Sequence, residues 1–505
     1  MSDDSPSVVS DNVIVQSNQR CIVIHNTNGV TVDNNVAYDT RGHCYVTETG
    51  IEEQNVFSNN LGALTRKLQF SNGQSDSPGF SGKHIAATFW VRNMMNEFYG
   101  NVAAGSESVG WWFEMKNKEG PMLSTTPISS FRDNVAHSIA VNGMVTYKQG
   151  WKPSVPAVFD NIRIYKCHGE SGLKFHITGP LTIQNSLLAD NKIGIRYGVW
   201  NGGVIVKDSK IIGLSNDEVL RNGKSCPPSS SSGVYASYNN YPHETIPKAI
   251  TLDNVAMERF VCNSKIIRPY FDNRQYAGGM GNPHQAAVTI TDSVESANPT
   301  FGCGSNEKYV FLEDFGGGLG PASMGSNPGF IIRNSGHMKA FLPPDACEPL
   351  PYAGNWSDGN KCNAFCKNVC LRFFHIKPGI ASATKLVLSQ GDVTYSYYLD
   401  TDYDKFRVVL PSGNYHGQFY DYSGLEVFAQ SVAISAFRPP KCGDYADENS
   451  FTFATSASPS SSPTKAPTPF PVSSYQTELT SFRKLAKPKQ LTLVFFVCFV
   501  RIQYT

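Results

Sequence analysis

The chain has 505 residues, a net charge of +1, and charged residues at only 17%. That length accommodates one long solenoid plus one or two smaller modules. With no block of like charge, it excludes nucleic acid and an anionic membrane surface as electrostatic partners. Aromatic residues at 12% and 43 glycines suit a β-rich extracellular protein with few surface helices.

The start, Met1-Ser2-Asp3-Asp4, has neither the basic stretch nor the apolar core of a signal peptide, so a true N-terminus further upstream is expected. From about residue 8 the chain runs in short, β-branched, alternating segments: Ile22-Val23-Ile24, Val30-Thr31-Val32, Ile162-Arg163-Ile164, Leu181-Thr182-Ile183 and Val204-Ile205-Val206. Gly or Asn closes most of them, the residues that best tolerate φ > 0. Small modules recur: Asn35-Val36-Ala37, Asn101-Val102-Ala103, Asn134-Val135-Ala136 and Asn254-Val255-Ala256, with variants at Asp160-Asn161-Ile162, Gln184-Asn185-Ser186-Leu187 and Lys207-Asp208-Ser209. The steps Asn134 to Asn161, Asn161 to Asn185 and Asn185 to Ser209 are 27, 24 and 24 residues.

A recurrence of roughly 20 to 50 residues marks a repeat architecture whose units cannot bury their own apolar face. No long segment has a 3.6-residue period. The fold predicted for residues 1–300 is therefore a parallel β-helix, with inward ladders of Val, Ile and Leu and a stack of Asn at a corner. A β-sandwich would also give many short strands, but the regular step favours the solenoid. Two insertions, Gly73 to Lys83 and Ser225 to His243, are predicted as loops on one face.

Residues 301–375 change character and read as a disulfide-rich connector. Cys347, Cys362, Cys366 and Cys370 crowd among Pro343, Pro344, Pro349 and Pro351, which predicts a stapled subdomain. A metal site is the alternative, but C-x3-C-x3-C with His375 is not a usual zinc spacing. Asn355-Trp356-Ser357 is a glycosylation sequon that marks Asn355. Residues 376–450, with strand-like runs at Lys385 to Leu388, Val393 to Leu399, Phe406 to Leu410 and Leu425 to Ile434, predict a small antiparallel β-sandwich. Residues 451–490 form a Ser/Pro/Thr-rich, disordered linker, and 491–505 a short apolar tail. The run Leu491 to Val500 is shorter than the about 20 residues of a spanning helix, so membrane attachment is expected only through a lost C-terminal anchor.

Cleavage of a glycoside needs two carboxyl groups about 5 to 10 Å apart. Lyase chemistry on a uronate instead needs a neutralising cation and a base such as His, Lys or Tyr. The densest set of suitable residues is Asp39, Arg41, His43, Glu48, Glu52 and Glu53, followed by Arg92, Asn93, Glu107 and Glu114 about two coils along, and His137 on a neighbouring coil. Stacked coils rise by about 4.8 Å, so residues distant in sequence can form one patch. Asp39, His43, Glu48 and Glu52 are the catalytic candidates; Arg41, Arg92, Asn93, Glu107, Trp111, Trp112 and His137 are the substrate-binding ones. Adjacent tryptophans on one strand point to opposite faces, so one of Trp111 and Trp112 is expected to be exposed as a sugar platform. Blander roles compete: a satisfied core histidine at His43, a solvated loop at Glu48, Glu52 and Glu53, corner ladders at Asn93, Asn101 and Asn134. No metal site is expected with certainty; Ca²⁺ on Asp39, Glu48 and Glu52 is the one cofactor considered, and it lacks an EF-hand spacing.

Several strings resemble a family of animal proteins that includes the cell-migration-inducing and hyaluronan-binding protein, the cell-surface hyaluronidase and, more distantly, the fibrocystins. They are Gly42-His43-Cys44-Tyr45-Val46-Thr47-Glu48-Thr49-Gly50-Ile51-Glu52-Glu53-Gln54-Asn55, Thr88-Phe89-Trp90-Val91-Arg92-Asn93, Asn101-Val102-Ala103-Ala104-Gly105-Ser106-Glu107, Gly110-Trp111-Trp112-Phe113, Asp133-Asn134-Val135-Ala136-His137-Ser138 and Ala189-Asp190-Asn191-Lys192-Ile193-Gly194-Ile195. They follow the family order across about residues 10 to 300. The resemblance implies a right-handed parallel β-helix and an extracellular glycosaminoglycan ligand. The expected function is that of a monomeric extracellular or cell-surface protein that binds or depolymerises a hyaluronan-like acidic polysaccharide, as a hydrolase or lyase if it is an enzyme. The alternative is a non-catalytic structural or adhesive ectodomain with protein partners.

Overall fold

Short runs that are apolar on one side only can bury that side by stacking on copies of themselves, and this chain does so. The computed structural model describes residues 7–68, 85–115, 123–146, 151–176, 178–198, 204–215, 232–237, 250–260, 265–270, 288–290, 294–295, 311–314, 323, 327, 329–332, 339–350, 363–369, 371–377, 381–399, 406–434 and 450–452. The expected tail, the linker beyond residue 452, Asn355, Cys362, Cys370 and the whole first insertion lie outside them, whereas Ser232–Ser237, inside the second insertion expected as a loop, is a strand of the solenoid.

Each coil lays down three strands. The first series is Ser7–Ser10, Val30–Asp33, Val56–Ser58, Glu97–Tyr99, Ser130–Arg132, Ala157–Asp160, Leu181–Gln184 and the opening halves of Val204–Ile212 and Ile250–Glu258. The second is Val13–Val15, Val36–Arg41, Leu61–Arg66, Val102–Ala104, Val135–His137, Arg163–Tyr165, Leu187–Ala189 and the closing halves of the same two strands. The third forms a nine-stranded parallel sheet: Ile22–Ile24, Tyr45–Thr47, Ala87–Val91, Val109–Phe113, Asn142–Thr146, Ser171–His176, Ile193–Gly198, Ser232–Ser237 and Lys265–Tyr270. Every pairing within the three series is parallel, so the structure is a parallel β-helix.

The corner between the first and second series is built from two adjacent columns. At the outer one stand Asp11, Asn34, Asn59, Gly100, Asp133, Asn161, Asn185, Asp208 and Asn254, all at φ between 46° and 68°. Asn and Asp tolerate this left-handed conformation better than other side chains do. Their side chains bridge coils: the Asn34 amide donates to Asp11 at 2.7 Å, Asn161 to Asp133 at 2.7 Å and Asn254 to Asp208 at 2.8 Å. One residue further on, Asn35, Asn60, Asn101 and Asn134 turn inward and, with the exposed Asn12 as first rung, form a ladder, each amide nitrogen donating to the next residue's Oδ1 at 2.9 to 3.1 Å. That column continues as Ile162, Ser186 and Ser209, not as Asn161. The single series Asn134, Asn161, Asn185, Ser209 expected from sequence therefore mixes two columns.

Side-chain sizes are matched across the interior. Tyr45, Phe89 and Trp111 stack along the third sheet at 4.8 and 4.0 Å. Opposite them the second sheet offers only Ala37, Gly62, Ala103 and Ala136, which leaves the rings room. A second aromatic column, Phe57, Phe98, Phe131 and Phe159, fills the first sheet's inner side. Where the third strands begin, Gly110 and Gly143 let successive coils touch: a Cβ on Gly110 would lie 2.5 Å from the Gly143 carbonyl oxygen.

Beyond the last coil, Phe311–Asp314 pairs in parallel with Val288–Ile290 and then antiparallel with Gly329–Ile332. Ala364–Lys367 and Cys347–Pro349 extend the same sheet, and a disulfide joins Cys347 to Cys366. A connector strand thus covers the open edge of the first series, a common protection against edge pairing. The final module is a two-layer sandwich. Arg372–Lys377 and Phe406–Leu410 pack Ile376, Phe406, Val408 and Leu410 against Leu386, Leu388, Tyr397, Tyr415 and Phe419 of an antiparallel four-stranded sheet.

Candidate functional site

The outward side of the third sheet gathers the chemistry. Parallel register aligns Val23, Val46, Trp90, Trp112, Val145, Lys174, Arg196 and Tyr235 in one column along the axis. At the strand ends a second column places Glu48, Arg92 and Glu114 on successive coils, continuing the pairings of Val46 with Trp90 and Phe113 with Val91. Glu48 and Glu114 therefore bracket Arg92, their backbones two strand spacings, or about 9.6 Å, apart.

Arg92 is 7% exposed. Its guanidinium lies 5.4 Å from the Trp90 ring centre, and its Nη1 donates to the Glu48 carbonyl at 2.5 Å. Burial pushes its pKa down, while Glu114, Glu52 and Glu48 oppose the shift. An arginine nonetheless remains charged. Trp90 Nε1 donates to Glu114 Oε2 at 3.2 Å. Glu48 holds an ion pair with Arg20 and lies 2.9 Å from His25 Nδ1. His43 is buried and tilts against Trp90 at 4.4 Å and Trp112 at 5.6 Å. Its Nδ1 accepts the Ala87 N–H at 3.1 Å, which assigns the ring proton to Nε2 in the neutral form.

Further along the column, Glu170 receives Lys174 at 2.9 Å, Arg196, and the Asn142 amide at 3.0 Å. Burial alone would raise the Glu170 pKa, but Lys174 and Arg196 outweigh it and hold the carboxyl below its usual range.

The other expected residues lie elsewhere or serve the scaffold. Both Trp111 and Trp112 are buried, contrary to the expectation that one would be exposed. They do point to opposite faces. Trp111 enters the core, whereas Trp112 faces outward into a second apolar layer with Val46, Ala87, Trp90, Val109 and Val145. The Glu52 carboxylate is surrounded by turn donors: Thr49 N–H at 2.9 Å, Thr49 Oγ1 at 2.5 Å, Gly50 N–H at 2.7 Å and Asn26 N–H at 3.1 Å. Asn93 ties the same turn by donating to the Gly50 carbonyl at 3.0 Å and accepting the Met95 N–H at 2.9 Å. Asp39, Arg66 and Glu107 form a separate group at the far end of the second strands, beside the exposed Arg41. Hydrogen bonding to Arg66 holds the Asp39 carboxyl low. His137, on the second sheet, stacks on Tyr165 at 4.8 Å, and burial lowers its pKa.

Asp39, Glu48 and Glu52 thus go to three different sets of partners. Among the described residues no group of three His, Cys, Asp or Glu side chains is placed to hold a metal ion. Arg20 and His25 had no sequence signal of their own. They are found one coil before Glu48, because Glu48 N–H bonds to the Ile24 carbonyl.

Residues 1–144 match the CEMIP beta-helix family model. They include the whole Arg20–Glu48–Arg92–Glu114 group. The chain is similar to the cell migration-inducing and hyaluronan-binding protein of Mus musculus, 32% identical over 167 residues, 28% of this chain and 12% of that protein. It is 32% identical over 238 residues to the cell surface hyaluronidase of Danio rerio, 41% of this chain and 17% of that one. It is also similar to fibrocystin-L of Mus musculus, 27% identical over 234 residues, 41% of this chain and 5% of that one. The matches thus cover less than a fifth of each of these relatives. Among the described residues two disulfides, Cys21–Cys44 and Cys347–Cys366, fit an oxidising, extracellular compartment.

Proposed function

We propose that this chain is an extracellular carbohydrate-interacting protein, and that the outward third-sheet face around Arg92 holds a hyaluronan-like acidic polysaccharide. The observation that carries this is one cation, Arg92, seated on Trp90 and bracketed by Glu48 and Glu114 on adjacent coils. A guanidinium presents a fork of donors that matches a carboxylate. Further along the same column Lys174, Arg196 and Tyr235 continue the face with two cations and a ring. Relatives named for hyaluronan binding and for hyaluronidase activity support the ligand class.

A second reading, depolymerisation, is favoured by the two carboxylates. Flanking a scissile bond, one would protonate the leaving oxygen while the other served as base or nucleophile, with Arg92 offsetting the uronate charge. His43, walled in by Trp90 and Trp112, would position rings instead of taking the proton.

The test is retention and size loss of hyaluronan and a panel of other acidic polysaccharides with the secreted chain and with Arg92→Gln, Glu48→Gln, Glu114→Gln and His43→Ala. Binding weakened by Arg92→Gln is expected. Size loss abolished by either glutamine variant, with binding kept, establishes the enzyme. Binding without cleavage by the unaltered chain leaves a glycan-binding protein. Neither binding nor cleavage overturns the proposal and favours an adhesive ectodomain with protein partners.

A further inference from the structure

Among the described residues the most exposed large apolar side chains lie on the C-terminal sandwich. Tyr398 is 73% exposed, Tyr422 95% and Leu425 67%. Register sets Tyr398 in a row with two further side chains. Lys385 pairs with Tyr398 on one neighbouring strand and with Tyr420 on the other, so the three form a row across the sheet. Their neighbours Leu386, Tyr397 and Phe419 face the sandwich core, and alternation turns the row outward. The two rings are anchored two strand spacings, about 9.6 Å, apart. Between them the Lys385 ammonium lies 5.4 Å from the Tyr420 ring centre. The turn that follows is preformed. Asp421 Oδ1 accepts Ser423 N–H at 2.9 Å, Ser423 Oγ at 2.6 Å and Leu425 N–H at 3.0 Å, in a turn that leaves Tyr422, two residues beyond Tyr420, exposed. The rest of the outward face carries the polar Thr394, Ser396, His416 and Gln418 around Val387.

We infer that this face is a second glycan-binding surface, with Tyr398, Tyr420 and Tyr422 as stacking platforms and Lys385 as the contact for an acidic sugar. Tyrosine offers a flat apolar ring and a hydroxyl at small entropic cost, which suits the C–H faces and hydroxyls of a pyranose. A lysine held between two such rings selects a carboxylate-bearing chain over a neutral one. The surface shares a ligand class with the third-sheet face of the solenoid but none of its residues.

The test is hydroxyl-radical footprinting of the full chain with hyaluronan oligosaccharides and with neutral maltodextrin, on the unaltered protein, Lys385→Gln and Arg92→Gln. Expected is protection of Tyr398, Tyr420 and Tyr422 by hyaluronan alone, lost in Lys385→Gln and kept in Arg92→Gln. Affinity for hyaluronan oligosaccharides in Tyr398→Ala/Tyr420→Ala should fall about tenfold, the equivalent of roughly 1.4 kcal/mol. His25, 52% exposed beside Glu48, reports on the solenoid site. Protection at His25 but not at the tyrosines overturns this inference and leaves the solenoid reading intact. Protection at the tyrosines but not at His25 does the reverse. Unchanged oxidation at the tyrosines, or equal protection by maltodextrin, also overturns it.

Discussion

Asn101→Ala removes one rung of the buried amide ladder. In the native protein the Asn101 amide donates to the Phe57 carbonyl at 2.8 Å, the Tyr99 carbonyl at 3.2 Å and Asn134 Oδ1 at 3.1 Å. Its Oδ1 accepts from Asn60 N–H at 3.0 Å and from the Asn60 amide at 2.9 Å. The side chain is fully buried. Truncation therefore strands at least the Asn60 N–H and the Phe57 carbonyl, and each buried orphan costs about 1–3 kcal/mol, which puts the loss near 4 kcal/mol. In a solenoid that loss stays with the coil concerned and its neighbours. Hydrogen exchange of the Asn60 amide should then accelerate by roughly a thousandfold, since each 1.4 kcal/mol is a factor of about ten. Asn101→Asp keeps the shape but turns a donor into an acceptor facing the Phe57 carbonyl, and should cost at least as much. An Asn60 amide whose exchange rises by less than about tenfold in Asn101→Ala would refute the assignment of the ladder's energy to these bonds.

Three further outcomes follow from the same geometry. Gly110→Ala should fail to fold or lose several coils, because its Cβ would meet the Gly143 carbonyl oxygen at 2.5 Å, a clash visible as lost far-ultraviolet dichroism and lost thermal cooperativity. Glu170 is held below its ordinary 4.5 in the fold, so its stabilising contribution is complete above 4.5 and disappears as pH falls through the lowered folded value. Urea midpoints of the wild type should drop on acidification through that window, and those of Glu170→Gln should start lower and drop less. Tyr45→Phe should destabilise by about 1 kcal/mol in urea titration, since the hydroxyl lies 3.0 Å from both the Asn35 and Leu61 carbonyls and donates to one of them.

The strands and the corner amides were legible because both are local: β-branched alternation fixes the one, and tolerance of φ > 0 fixes the other. The column assignment was not. Asn161 in its left-handed corner and Asn134 on its inward rung are the same residue type one column apart, and the ladder's amide gives way to Ile162 where a sequence reader would expect another Asn. The site was hidden for a related reason. The ladder separations Asn12–Asn35, Asn35–Asn60, Asn60–Asn101 and Asn101–Asn134 are 23, 25, 41 and 33 residues. Glu48 and Arg92 are 44 residues apart but Arg92 and Glu114 only 22, so the insertion between the first two breaks the even step that would have aligned the column. Glu52 illustrates the opposite error: its type and its family-like string suggested chemistry, but four turn donors occupy its carboxylate.

Cys21 and Cys44 are separated by 23 residues, the step of the first coil, and their pairing could have been read from that period. The bond closes a loop of that length, which in the chain-entropy model is worth about 3 kcal/mol. Its position matters more than its energy. Cys21 follows Arg20, and Cys44 follows His43, so one covalent link fixes the first coil's contribution to Glu48 and the histidine that supports Trp90 and Trp112. Cys21→Ser/Cys44→Ser should therefore lower stability by about 3 kcal/mol and also weaken polysaccharide retention at the solenoid site, whereas opening Cys347–Cys366 should affect stability alone. Measured by denaturant titration beside retention on hyaluronan, equal retention in both cysteine variants would show that the first coil holds Arg20 and His43 without its disulfide.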